Sequence, residues 1–109
     1  MTPPDIFENV QAVVKANVYF DGKVVSHSIL FPDGSRKTLG LIYPGVYKFE
    51  TDAPERMQIT AGQCRARLAG EKDFRQHGAG GSFDVPGKSS FEIAVDSGIA
   101  QYVCSFLPV

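Results

Sequence analysis

Apolar and polar residues alternate in short runs along most of this chain, and turn residues interrupt the runs roughly every eight to twelve positions. That rhythm restricts the fold more than anything else in the sequence. A period of two sends successive side chains to opposite faces, so each run offers one apolar face to a core, as in an antiparallel sandwich or barrel. The clearest interruptions are Asp21-Gly22, Pro32-Asp33-Gly34-Ser35 and Pro44-Gly45, where Pro presets a corner and Gly accepts positive φ. Strands are therefore expected over 16–19, 23–31, 36–43 and 46–51, the first two as arms of a hairpin. In the last of these, Tyr47, Phe49 and Thr51 point one way and Lys48 and Glu50 the other, with the aromatic side expected inside. Met57, Ile59 and Ala61 alternate before Gly62, and Cys64, Ala66 and Leu68 after it, while Arg65 and Arg67 face outward. Phe91, Ile93 and Val95 form one face of a later strand.

Two segments depart from the pattern. Phe7, Val10, Val13 and Val14 recur at helix-like spacing after Asp5, so residues 1–16 read as an extension, either a short helix or an added strand, ahead of a domain over 17–109. The final run, 99–107, is apolar on both faces (Tyr102, Cys104 and Phe106 against Val103 and Leu107). A strand covered on both sides in so small a chain implies either an oligomer interface or cover from the N-terminal segment.

A length of 109 residues fits one domain able to bury its own core. Eleven basic against 12 acidic residues leave no broad cationic surface for a nucleic-acid backbone or an anionic membrane. No basic, then apolar, leader opens the chain, and no apolar run reaches the roughly eighteen residues of a spanning helix; a cytoplasmic protein is expected. Cys64 and Cys104 sit in strand-like apolar surroundings and read as reduced packing thiols.

Two segments about thirty residues apart narrow the fold. Gly45 leads through Tyr47, Phe49 and Thr51 to Glu55 and, six residues intervening, Gly62; the other runs from Gly80 through Pro86 and Gly87 to Ser89 and Phe91. These resemble the two cupin motifs, G-x5-H-x-H-x3-4-E-x6-G and G-x5-P-x-G-x2-H, with the histidines replaced. Phe49 and Thr51 take the first pair of histidine positions and Ser89 the last. The resemblance implies an all-β, single-domain cupin fold, a double-stranded β-helix or jelly-roll-like barrel. A cupin metal site needs neutral imidazoles and a carboxylate on one ion, and Phe49, Thr51 and Ser89 are no such donors. His27 and His77 lie outside both motifs, so a metal-free barrel without a cofactor is expected.

Tyr19-Phe20-Asp21-Gly22-Lys23-Val24, Gly45-Val46-Tyr47-Lys48-Phe49-Glu50-Thr51 with Pro54-Glu55, Phe83-Asp84-Val85-Pro86-Gly87 and Tyr102-Val103-Cys104 follow in order. Together they resemble the small bacterial pyrimidine/purine nucleoside phosphorylases of cupin fold, from about Asn17 to Leu107. The resemblance implies a homodimeric enzyme that cleaves many nucleosides with inorganic phosphate as co-substrate, giving free base and ribose 1-phosphate.

Such chemistry asks for an anion site beside C1′ and stabilisation of an oxocarbenium-like transition state. Arg36, opening a strand after a Gly turn, is the first phosphate candidate, because its fork suits two oxygens; Lys88 and Ser89 are the second. Glu55 would hydrogen-bond the ribose or offset its developing positive charge, and Glu50 ranks below it by strand parity. Tyr47, Phe49, Phe83, Phe91 and Tyr102 offer a stacking wall that either ring size can use, with Thr51 beside them. A solvated role for Arg36, Lys88 and Glu55, and a core role for each aromatic, remain the plain alternatives. At the level of function the alternatives are a ligand-binding cupin without turnover, or a metal cupin using Glu55, Glu50 and His27. Gly78-Ala79-Gly80-Gly81 lacks the Lys-Ser/Thr of a P-loop, so triphosphate chemistry is not indicated.

Overall fold

The computed structural model describes residues 2–108. Eleven strands form in chain order: β1 (Gln11–Ala12), β2 (Asn17–Tyr19), β3 (Val24–Leu30), β4 (Arg36–Ile42), β5 (Gly45–Glu50), β6 (Glu55–Ala61), β7 (Gln63–Leu68), β8 (Arg75–Gly78), β9 (Ser82–Val85), β10 (Ser90–Val95) and β11 (Ala100–Phe106). They make an antiparallel seven-stranded sheet in the order β1-β3-β4-β11-β6-β9, with β2 also on β3, and a four-stranded sheet in the order β5-β10-β7-β8. From β4 onward the chain passes back and forth between the sheets, and only β7 and β8 follow one another in the same one. The result is the cupin barrel. No helix among the described residues is long and apolar enough to cross a membrane.

Alternation builds the core as expected. Val24, Ile42, Ile59, Val85 and Ile93 are the largest side chains sealed from solvent, each contributing about 1.5–3 kcal/mol by burial. Arg65 and Arg67 face outward, paired with Asp96 and Glu92 at 2.9 and 2.6 Å. Gly62, at φ +73°, carries the turn from β6 into β7; a Cβ there would lie 2.4 Å from the Ile99 carbonyl oxygen.

Three local features differ from the simplest reading of the sequence. Of the two alternatives for the N-terminal extension, the strand forms: β1 pairs with β3 through Gln11 and Ala12, and residues 2–16 contain no helix. The two-sided burial of β11 is met within one chain. Thr2, Pro3, Pro4, Asp5, Phe7 and Val10 line a groove over the outer face of the large sheet beside Leu39, Leu41 and Val103, and Phe7 meets Phe31 edge-on at 5.3 Å. The first hairpin turn is wider than an Asp-Gly corner, because Phe20 joins it at φ 52° with Asp21 at φ 56°. A left-handed aromatic residue stores roughly 1–3 kcal/mol of strain. Here that strain turns the Phe20 ring onto Tyr47 and Phe49, with centroids 5.0 and 5.4 Å away.

Candidate active site

Strand register decides which side chains meet inside the barrel. On the inner face of the large sheet, Asn17 pairs with Ser26, Ser26 with Gly40, Gly40 with Tyr102 and Tyr102 with Ile59. The next inward row is Ser28, Thr38, Cys104 and Met57. The third, at the mouth, brings Arg36, Phe106 and Glu55 together. Inward rows lie two residues, about 7 Å, apart along the strands. They enclose a cavity of about 250 Å³, open to solvent, whose opposite wall is Phe49 and Phe91 from the small sheet. That volume falls slightly short of the ~300 Å³ at which small-molecule sites usually begin, so a ligand longer than one ring system extends into the mouth.

At the mouth, Phe106 stands between two charges. The Arg36 guanidinium lies over its ring at 4.3 Å, and Glu55 is its ladder partner on the other side. Two strand spacings, roughly 9–10 Å, therefore separate the Arg36 and Glu55 backbones. Neither residue belongs to any ion pair found among the described residues. Burial raises the Glu55 pKa above the ordinary carboxylate range, opposed first by the Cys104 thiol and then by the positive charge of Arg36. The thiol donates to Glu55 Oε1 at 3.5 Å. Burial and the neighbouring carboxylate push Cys104 well up, so it stays protonated and donating.

Deeper in, the groups are neutral and polar. Asn17 Nδ2 donates to Ser26 Oγ at 3.2 Å and to Ser28 Oγ at 3.3 Å, and the Tyr102 hydroxyl lies close enough to Ser26 to interact with it. Tyr102 lies flat across β4 because its ladder partner is glycine: a Cβ on Gly40 would sit 2.3–2.5 Å from the Tyr102 ring and hydroxyl. Opposite, Phe49 and Phe91 stack at 5.6 Å and an interplanar angle of 23°, and Tyr19 meets Phe49 edge-on at 6.0 Å.

Of the residues singled out from sequence, Arg36, Glu55, Phe49, Phe91 and Tyr102 converge on this cavity. Five others do not line it. Tyr47 is buried behind the wall, its hydroxyl hydrogen shared between the carbonyl oxygens of Tyr43 and Pro44 at 2.8 Å each. Thr51 donates to the Pro86 carbonyl at 2.6 Å and accepts from the Ser89 amide at 3.0 Å, so its hydroxyl is spent on tying two loops together. Lys88 is exposed at φ 50°, its amide bonded to the Asp52 carbonyl. Ser89 is held by Thr51 in the same turn. The motif residue that enters the barrel here is Phe91, because Gly87 comes one position early and the inward position, counted from Pro86, falls at 91. Phe83 packs behind Phe91, at 5.9 Å, and against His77 at 4.7 Å. Glu50, expected to face away, lines the mouth. Asn17, Ser26, Thr38, Cys104 and Phe106 were not distinguishable from core or surface positions by local pattern; what marks them is that polar groups recur at inward parity.

The cupin metal position finds no ligand set in these residues. Glu55 and Phe49 reach the cavity, Thr51 and Ser89 do not, and among the described residues no three His, Cys, Asp or Glu side chains converge as an ion site. His27 lies exposed on β3, bonded to the Val13 carbonyl at 3.1 Å, and His77 packs on Phe83.

Comparison with known proteins agrees with this architecture. Oxalate decarboxylase of Bacillus subtilis, a protein with Mn(II) centres, shares the fold alone: 13% identity and a TM-score of 0.72 over 96% of this chain and 30% of its own. The crystal structure of a protein of unknown function from Acinetobacter sp. superposes with a TM-score of 0.91 at 43% identity, covering 94% of this chain and 98% of that one. A Cupriavidus necator protein named pyrimidine/purine nucleoside phosphorylase is 59% identical over 100 residues, which are 92% of this chain and 94% of its own. The model of that family matches residues 14–106, and the chain belongs to the pyrimidine/purine nucleoside phosphorylase family.

Proposed function

We propose that this enzyme cleaves the N-glycosidic bond of purine and pyrimidine nucleosides with inorganic phosphate, without a metal, to give free base and ribose 1-phosphate. The observation that carries the reading is the mouth row. An unpaired guanidinium and an unpaired carboxylate flank one aromatic ring, facing a stacked pair of phenylalanines across a cavity sized for one ring system.

Arg36 binds two oxygens of phosphate at the mouth, where its fork also orients the nucleophilic oxygen toward C1′. The base lies deeper, its face against Phe49 and Phe91, where stacking accepts one ring or two. As the C1′–N bond breaks, the sugar gathers positive charge; the Glu55 carboxylate stabilises it through space or through the ribose hydroxyls, in a site where partial burial strengthens the interaction. The phosphate oxygen then closes the C1′–O bond, and the base leaves with a proton from the phosphate monoanion or from solvent. The donor thiol of Cys104 holds Glu55 toward the cavity. Metal independence is supported by the lack of a converging donor set among the described residues. A homodimer is part of the proposal, supported by the exposure of Val18, Tyr43, Val46 and Ile99.

The test is to incubate purified protein with uridine, adenosine or guanosine, with and without phosphate and after exhaustive chelation, and to measure free base and ribose 1-phosphate. Phosphate-dependent, chelator-resistant release is expected. Release without phosphate would replace phosphorolysis by hydrolysis. No release at all would leave a ligand-binding protein, and loss on chelation would overturn metal independence.

A further inference from the structure

We infer that the Asn17 side-chain amide is the group that reads the base edge, and that it does so in two interchangeable orientations. This rests on the nucleoside reading above. If phosphate sits at Arg36 and the sugar at Glu55, the base occupies the two inner rows, about 7 and 14 Å further along the strands. The polar groups lining the cavity there are Asn17, Ser26, Thr38 and Tyr102, with Ser28 beside Thr38 in the ladder. All are uncharged, and each both donates and accepts. A charged reader would favour one pattern of base donors and acceptors; a neutral row does not.

Asn17 differs from the others because its amide is anchored and two-faced. Nδ2 donates to Ser26 Oγ and Ser28 Oγ on β3, which uses both amide hydrogens and leaves Oδ1 as the group that Asn17 has to offer to the cavity it lines. In this orientation the cavity meets an acceptor, suited to the exocyclic amino group of cytosine or adenine. Rotating the amide by half a turn places Nδ2 toward the cavity and Oδ1 toward β3. The two serine hydroxyls then donate instead of accepting, so both anchoring bonds persist. The cavity now meets a donor, suited to the carbonyl of uracil or hypoxanthine. Because the two orientations have the same number of hydrogen bonds, choosing between them costs little. One pocket thereby serves amino and keto bases of either ring size.

The experiment compares kcat/KM for cytidine, adenosine, uridine and inosine in wild-type protein, Asn17→Asp and Asn17→Ala. Aspartate keeps the size and accepts from both serines but presents only an acceptor. The ratio of amino to keto substrates should therefore rise about tenfold, the size of one well-placed hydrogen bond. Alanine removes both faces, so all four substrates should fall by similar factors with the ratio kept near wild type. A wild-type-like ratio in Asn17→Asp, with all four values moved together, would reduce Asn17 to a structural residue and overturn the inference while leaving the phosphorylase reading intact. Wild-type protein that releases no base from any nucleoside overturns both. Thermal melts of both variants separate loss of fold from change of preference.

Discussion

Gly40→Ala tests whether the cavity floor is set by the clearance between one glycine and one tyrosine. A Cβ at position 40 would lie 2.3 Å from Tyr102 Cζ, 2.4 Å from Cε1 and 2.5 Å from the hydroxyl oxygen. Ordinary contact needs about 3.5 Å or more, so the ring must withdraw by roughly 1 Å. Tyr102 is only 8% exposed, and the backbones of β4 and β11 are locked by their ladder. The free direction is into the cavity. Overpacking of this kind costs about 1–3 kcal/mol, which corresponds to a Tm lower by roughly 4–12 °C, at about 4 °C per kcal/mol for a domain of this size. The assay is a double-mutant cycle by denaturant melts. In a Tyr102→Ala background the Gly40→Ala step should cost nearly nothing, since nothing remains for the Cβ to strike. An equal cost in both backgrounds would refute the reasoning and place the damage in the backbone of β4. Nucleoside turnover provides the second readout, and Gly40→Ala should lose it more steeply than it loses stability.

Glu55→Gln should lower kcat by at least tenfold, yet raise Tm at neutral pH. Burial lifts the Glu55 pKa above the ordinary 4.5, so the side chain favours the fold when protonated and loses that contribution as pH rises through the elevated value. The stability gain of the glutamine variant should therefore vanish below about pH 4, and a variant no more stable than wild type at pH 7 would argue that Glu55 is well solvated. Arg36→Lys keeps the charge but not the fork, so the phosphate KM should rise several-fold with nucleoside KM little changed; unchanged phosphate kinetics would move the anion site elsewhere. Both thiols are held protonated by burial, Cys64 pushed up to about 11 and Cys104 higher still. A thiol reagent should thus label neither in the native protein and both after unfolding.

Strand positions and turns were legible because alternation and Pro/Gly punctuation are local properties of the chain. Glu55 and Arg36 drew notice for local reasons too, Glu55 as the carboxylate of the first motif and Arg36 as a guanidinium opening a strand straight after a Gly turn. The rest of the site depends on register between distant segments. Nothing near Gly40 says that Tyr102 will cross it, and nothing near Cys104 says that its sulfur will meet Glu55. Local parity also misled at the motif ends: Ser89 and Thr51 bond to each other, and Glu50 escapes the outward direction of its strand because β5 ends at the cavity rim. The N-terminal extension was ambiguous because its valines suit either a helix face or an edge strand, and tertiary pairing with β3 decides between them.

The distribution of polar residues along β3, β4 and β6 then explains why this barrel holds a site at all. Ser26 and Ser28 on β3, Arg36 and Thr38 on β4 and Glu55 on β6 occupy inward positions where a strand building only a core would place Val or Ile. Each substitution of that kind forfeits burial energy of about 1.5–3 kcal/mol, and together they leave the large sheet with a polar inner floor. The small sheet keeps its apolar pattern and contributes Phe49 and Phe91. A barrel whose walls differ in this way cannot close on itself, because the polar floor would be desolvated against aromatic rings with no partner. It stays open instead, and it best accommodates a molecule with a flat apolar face and a hydrogen-bonding edge.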